Sequence, residues 1–189
     1  MSSRNVVYIS MLVAITGVLG LIPPIPVPII PVPITLQTLG VMLAGSLLGP
    51  KKGFFSMFLF VLLVAIGIPL LSGGRGGLGV LLGPSGGYIL SWPIAALMIG
   101  WLIGRMKNVN MKNLLTINVA GGILLIYLCG SAWFAFITDL PFLPSFMANI
   151  AFVPGDLTKA VLTAFLTIKI RQAGVLPLQR QLNRQEISR

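Results

Sequence analysis

Apolar residues run through this chain in long unbroken stretches, not at the three-to-four-residue spacing of a helix half exposed to water. Six such stretches are separated by proline, glycine or lysine and arginine clusters. They predict helices over about residues 5–22, 34–49, 53–71, 86–104, 114–137 and 154–171. Runs of roughly 20 apolar residues are what an α-helix needs to cross a hydrocarbon core of ~30 Å. The pattern therefore predicts an all-α membrane protein, a polytopic bundle of six transmembrane helices over residues 1–173, with a basic cytoplasmic tail over 174–189. The second run is short and bracketed by Pro33 and Pro50, so it either crosses with little tilt or begins inside the bilayer. The first run ends in prolines without the small-residue cleavage pattern of a signal peptide and is read as a retained helix.

Composition agrees with the pattern. Of 189 residues 56% are hydrophobic and 8% charged, with a mean hydropathy of +1.00, against roughly 25% charged in a typical soluble domain. The positions of the 13 lysines and arginines add orientation, because short basic loops stay cytoplasmic. With six helices, Arg4, Lys51, Lys52, Arg105, Lys107, Lys112 and all five basic residues from Lys169 onward fall on one side. The other side receives Arg75, and Lys159 is left inside the sixth helix. An odd number of helices would spoil that segregation, so both termini are expected in the cytoplasm. The net charge of +10 does not point to nucleic acid, since the basic residues flank apolar segments instead of interleaving with stacking aromatics. Arg180, Arg184 and Arg189 form either a solvated topogenic tail or a contact for anionic headgroups. Cys129 is the single cysteine, which excludes a disulfide framework, and there is no histidine, the commonest general base and metal ligand. No catalytic residue, metal site or cofactor is expected.

The unusual chemistry gathers in the outer connections. The first, IPPIPVPIIPVPIT, has six prolines from Pro23 to Pro33, which rules out helix and favours a stiff extended segment. It either walls a cavity between the helices or serves as a plain rigid connector. The second, SGGRGGLGVLLGPSGGY, holds eight glycines, Gly86 among them. Glycine lets backbone amides approach a ligand closely. Gly74 to Gly79 matches GxGxxG formally, but without a βαβ unit around it the match carries no nucleotide site, and no G-x-x-x-x-G-K-[ST] motif occurs. The third leads into FVPGDLTKAVL, where Asp156 and Lys159 lie three apart on one helix face. Each charge at the bilayer centre would cost roughly 2.5 to 3.5 kcal/mol on insertion scales, so such residues are functional candidates that face inward. They are either ligand-binding groups or a self-neutralising pair that holds helices together. Thr35, Gln37 and Thr38 open the second helix at the same end, and Gln37 has the groups to read an amide. Ser85, Tyr88 and Asn149 are also at that end, as ligand contacts, caps or interfacial anchors. Asn118 is read as interhelical packing.

Three segments in order, PVPITLQTLGVMLAGSLLGPKKG, GIPLLSGGRGGLGVLLGPSGGYILSW and FVPGDLTKA, resemble the BioY family over about residues 5–171. That family is the biotin-specific substrate-binding (S) component of energy-coupling factor transporters. The resemblance implies capture of biotin at the outer face of a bacterial plasma membrane. It also implies work with a transmembrane coupling protein and two ATP-binding cassette ATPases, a division of labour that matches the missing phosphate-binding loop. Family pattern assigns Asp156 and Lys159 to the biotin site. It assigns a pair of small residues on the first helix to docking of the coupling protein, here Ser10 and Ala14, with Gly17 continuing the stripe. Ser-x-x-x-Ala departs from the family's Ala-x-x-x-Ala.

Two other readings compete. A self-sufficient proton- or cation-coupled carrier would use Asp156 as its coupling carboxylate, but would show broken helices in both halves. An intramembrane aspartyl hydrolase needs a second carboxylate beside Asp156, and only Asp139 is available.

Overall fold

A computed structural model describes residues 3–28, 30–106 and 109–173, so the predicted basic tail and Lys107 lie outside the described residues. The first predicted run is α1 (Ser3–Gly20). The second and third are α2 (Gln37–Leu48) and α3 (Pro50–Ala65), parted at Gly49, which has φ 78°, and Pro50, whose missing N–H suits a first helical turn. At 1.5 Å per residue the 12 residues of α2 span only ~18 Å. Eleven of them, all except Thr38, are buried. The helix is thus the centre of the bundle, packed against α1, α3, α6 and α10. α3 stops at Ala65, short of the predicted end at 71, because Gly67 takes φ 101° and Pro69 has no amide to continue the ladder.

The all-α expectation needs one correction, in the proline segment. Residues β1 (Ile25–Val27) and β2 (Ile30–Ile34) form an antiparallel hairpin, with Ile25 opposite Ile34 and Val27 opposite Ile30. The paired positions are isoleucine and valine, while Pro26, Pro31 and Pro33 fall between them, where the register shifts and the ladder is irregular.

Beyond the glycine-rich loop come α4 (Leu78–Leu82), α5 (Gly86–Leu90) and α6 (Trp92–Gly104), the last two continuous but for Ser91. α7 (Met111–Val119) passes through a π-helical turn at Ala120–Leu124 into α8 (Leu125–Thr138). α9 (Phe142–Met147) and a 3-10 turn (Ala148–Phe152) lead into α10 (Val153–Gln172). Among the described residues, four stretches, Ser3–Gly20, Gly86–Gly104, Met111–Thr138 and Phe142–Gln172, are long and apolar enough to cross a membrane. Phe60, Met42, Met57, Ile99 and Leu114 fill the core, while Val7, Val18, Leu82, Phe136 and Ile150 point outward. Such an outer surface gains nothing from water but loses nothing against lipid tails, which are as apolar as leucine. The molecule is a multi-pass membrane protein of the cell membrane. Polar residues in its interior tie helices together: Ser56 Oγ donates to Ile9 O at 2.9 Å and Ser46 Oγ to Asn118 Oδ1 at 3.2 Å, the packing role expected of Asn118.

Candidate ligand-binding site

Pro154 starts α10 and Asp156 sits in its first turn, where the helix dipole favours a carboxylate. The three-residue spacing turns Lys159 to the same side, toward α2. Both are buried, at 5% and 4% exposure. Lys159 Nζ meets Asp156 Oδ1 at 2.5 Å and donates to Thr35 O at 2.7 Å and to Thr38 Oγ1 at 2.9 Å. Those three contacts use all three ammonium protons. Thr38 Oγ1 donates in turn to Asp156 Oδ1 at 3.2 Å, and Tyr127 O–H on α8 donates to Asp156 Oδ2 at 2.6 Å. A carboxylate offers about four lone-pair sites, so one acceptor position on Asp156 stays open.

These groups form one wall of a cavity of about 70 Å³ at the end of the bundle shared by the hairpin and the glycine-rich loop. The hairpin supplies Val32, Pro33 and Ile34 to the wall, so the proline segment lines a cavity and is more than a connector. Leu71, Trp92, Ile126 and Phe152 make the opposite side apolar. Three charged residues line it: Asp156 and Lys159, which neutralise each other, and Arg75.

The profile of the BioY family matches residues 1–175. A probable biotin transporter BioY of Bacillus subtilis is 47% identical over 169 residues, 89% of this chain and 91% of that protein. The biotin transporter BioY of Rhizobium etli is 42% identical over 172 residues, 88% and 92% of the two chains. Among solved structures, the S-component for biotin from an ECF-type ABC transporter superposes with a TM-score of 0.87 at 37% identity, covering 91% of this chain and 95% of that one. The chain belongs to the BioY family.

The structure gathers most of the residues singled out from the sequence and separates two. Thr35, Gln37, Ser85, Tyr88, Asp156 and Lys159 all line the cavity. Asn149 stands behind the wall, accepting from Tyr88 O–H at 2.9 Å and donating to Ser131 Oγ at 2.6 Å. Gly86 is a packing position and not a wall residue: a Cβ there would lie 1.8 Å from Leu81 O and 3.0 Å from Trp133 Nε1. Gln37 borders the cavity, yet its amide is fully engaged with the protein. Nε2 donates to Leu70 O at 2.9 Å and Thr16 O at 3.2 Å, and Oε1 accepts from Ser72 N at 3.0 Å and Ser72 Oγ at 3.4 Å. Ser85 precedes α5 without a side-chain cap bond. Asp139, the second carboxylate the hydrolase reading required, is exposed at the left-handed end of α8 and is not part of the wall.

Sequence reasoning missed Tyr127, Trp92 and Phe152. Tyr127 carried a usable signal, since a tyrosine hydroxyl within an apolar helix needs a partner and Asp156 is a ready acceptor. On the far side of α1, Ser10, Ala14 and Gly17 lie in an apolar groove with Leu59, Leu63 and residues Ile68 to Leu70. Ser10 and Ala14 are exposed.

Proposed function

We propose that this chain captures biotin at the outer face of the cell membrane as the S component of an energy-coupling factor transporter. It does so from a fold of six membrane crossings with both termini in the cytoplasm. The observation that carries the reading is the buried Asp156–Lys159 pair in the wall of a largely apolar cavity. Biotin has a ureido ring with two donors and one acceptor, an apolar thiolane and valeryl chain, and a carboxylate. Asp156, with its open acceptor position, takes a ureido N–H. Lys159, whose protons are already engaged, holds the Asp156 side chain in place. Arg75 is the uncompensated cation of the wall; its Nε donates to Ser72 O at 3.1 Å, which leaves the guanidinium tip to meet the ligand carboxylate. Leu71, Trp92 and Phe152 cover the apolar middle.

Titration calorimetry on the purified protein tests this assignment. Biotin is expected to bind, and its methyl ester to bind at least about tenfold more weakly, the ~1.4 kcal/mol of one charge-assisted contact. Equal affinity for acid and ester would remove Arg75 from the site, and failure to bind biotin at all would sink the reading.

Energy is supplied by partners, two ATP-binding cassette ATPases and a transmembrane coupling protein that docks at the groove of Ser10, Ala14 and Gly17. Small side chains support this, because close helix approach in lipid depends on side-chain size. Accumulation of biotin in liposomes by this chain alone, driven by a proton gradient, would favour the carrier reading instead. Topology has its own test in a Cys129→Ala background. A cysteine at Gly79, exposed with open space around it, should react with an impermeant thiol reagent in intact cells, and one at Lys51 should not. Labelling of both from the same side would overturn six crossings.

A further inference from the structure

The segment after α3 has two faces. Ile68, Pro69 and Leu70 line the apolar groove beside α1, and the next residues, Leu71 and Arg75, line the ligand cavity. Its own backbone keeps it short and stiff: Leu71 and Arg75 exchange hydrogen bonds of 3.0 and 3.2 Å, and Gly77 N donates to Val64 O at 2.7 Å. A displacement of Leu70 by something seated in the groove therefore reaches Leu71 and Arg75 within one or a few residues.

We infer that Gln37 is a positioning residue that couples the ligand cavity to the α1 groove. Its buried carboxamide, 1% exposed, bonds three parts of the chain at once. Thr16 O belongs to α1, Leu70 O to the groove face of the segment, and Ser72 N and Oγ to the stretch that leads to Arg75. Four bonds exhaust the amide's capacity, so none of the three can move away without leaving a buried polar group unpaired. The end of α1 is shaped for the junction. At Gly20 a Cβ would fall 2.4 Å from Leu70 O and 2.8 Å from Gln37 Nε2, so only glycine lets the segment and the amide close against the helix. The same helix carries Ser10, Ala14 and Gly17. Thr16, one residue before Gly17, is thus fixed to the residue whose neighbour Thr38 contacts the Asp156–Lys159 pair.

This inference rests on the reading of the α1 groove as the docking face for the coupling protein. Thermodynamic linkage then requires that partner and ligand change each other's affinity by the same factor. Biotin affinity is measured in nanodiscs for the chain alone and for the chain assembled with its coupling protein and ATPases. The wild-type ratio of the two affinities is expected to depart from one by at least about fivefold. In Gln37→Leu and in Gly20→Ala the ratio is expected to fall within about twofold of one, whatever happens to each affinity separately. Gly20→Ala keeps every polar group and serves where Gln37→Leu does not fold. A general loss of stability would lower both affinities without removing their ratio. A wild-type ratio near one, or a wild-type-like ratio in both variants, would overturn the coupling while leaving biotin capture and docking in place. Normal partner association by the double variant Ser10→Trp and Ala14→Trp would instead overturn the docking reading, and the coupling with it.

Discussion

Gln37 and Thr38 are consecutive residues at the start of α2, both polar, both at the same end of the bundle, and their side chains belong to different structures. One helical step of ~100° separates them. Gln37 turns toward α1 and the segment after α3, where four bonds to protein groups use up its amide. Thr38 turns toward α10, where its hydroxyl stands between Lys159 and Asp156 in the cavity wall. The two clusters resemble each other in burial and in density of hydrogen bonds. They differ in what is left over. On the Thr38 side an acceptor position on Asp156 stays open toward the cavity, while on the Gln37 side every valence is closed. A buried polar residue beside a cavity is thus a stronger ligand-contact candidate when the protein has left one of its valences open.

The largest test of that contrast is Asp156→Asn. It removes the charge partner of Lys159 and replaces one acceptor oxygen with a donor that meets either the tyrosine hydroxyl or the ammonium. Biotin binding is expected to weaken by about 3 kcal/mol, the upper end for hydrogen bonds to charged groups. Calorimetry of the purified variant reads this directly, and near-native affinity would make the pair structural only. A smaller change probes the same cluster from its rim. Tyr127→Phe removes the 2.6 Å bond to Asp156 Oδ2 and Thr38→Val removes the hydroxyl between the charges. Each should weaken binding by about 1 kcal/mol. No loss in either would mean that Asp156 is held by Lys159 alone.

Much of this arrangement was legible in the chain itself. Hydropathy located the long helices but not the short α4 and α9, and Asp156 and Lys159, charges rare in an apolar segment, stood out as candidates. The prolines marked a segment that is not helix, although the hairpin pairing depends on which residues fall opposite each other, a long-range matter that periodicity does not record. The surroundings of Gly86 and Gln37 were not legible, for related reasons. A glycine beside a ligand and a glycine beside Leu81 O look alike in sequence. The valences of Gln37 are closed by Leu70 and Ser72, more than 30 residues away. Nothing local to position 37 announces those partners.

Tyr88 supplies the smallest expected effect and the finest division of roles. Its ring lines the cavity, while its hydroxyl is directed to Asn149 Oδ1, and Asn149 is held in turn by Ser131 Oγ and Phe146 O. If the ring is what the ligand meets, Tyr88→Phe keeps the surface that matters and removes only a bond behind it. Biotin affinity should then change by no more than about 0.5 kcal/mol, below the usual net worth of a hydrogen bond to a ligand. Stability should fall by more, about 1 to 3 kcal/mol, because Asn149 Oδ1 is left buried without its donor. Thermal unfolding in detergent and calorimetry on the same preparation separate the two quantities. The opposite pattern, a tenfold loss of affinity with an unchanged melting temperature, would place the hydroxyl among the groups that read biotin. It would also show that a polar atom already bonded to the protein can give up its partner for the ligand, and would return Gln37 to the candidate ligand contacts.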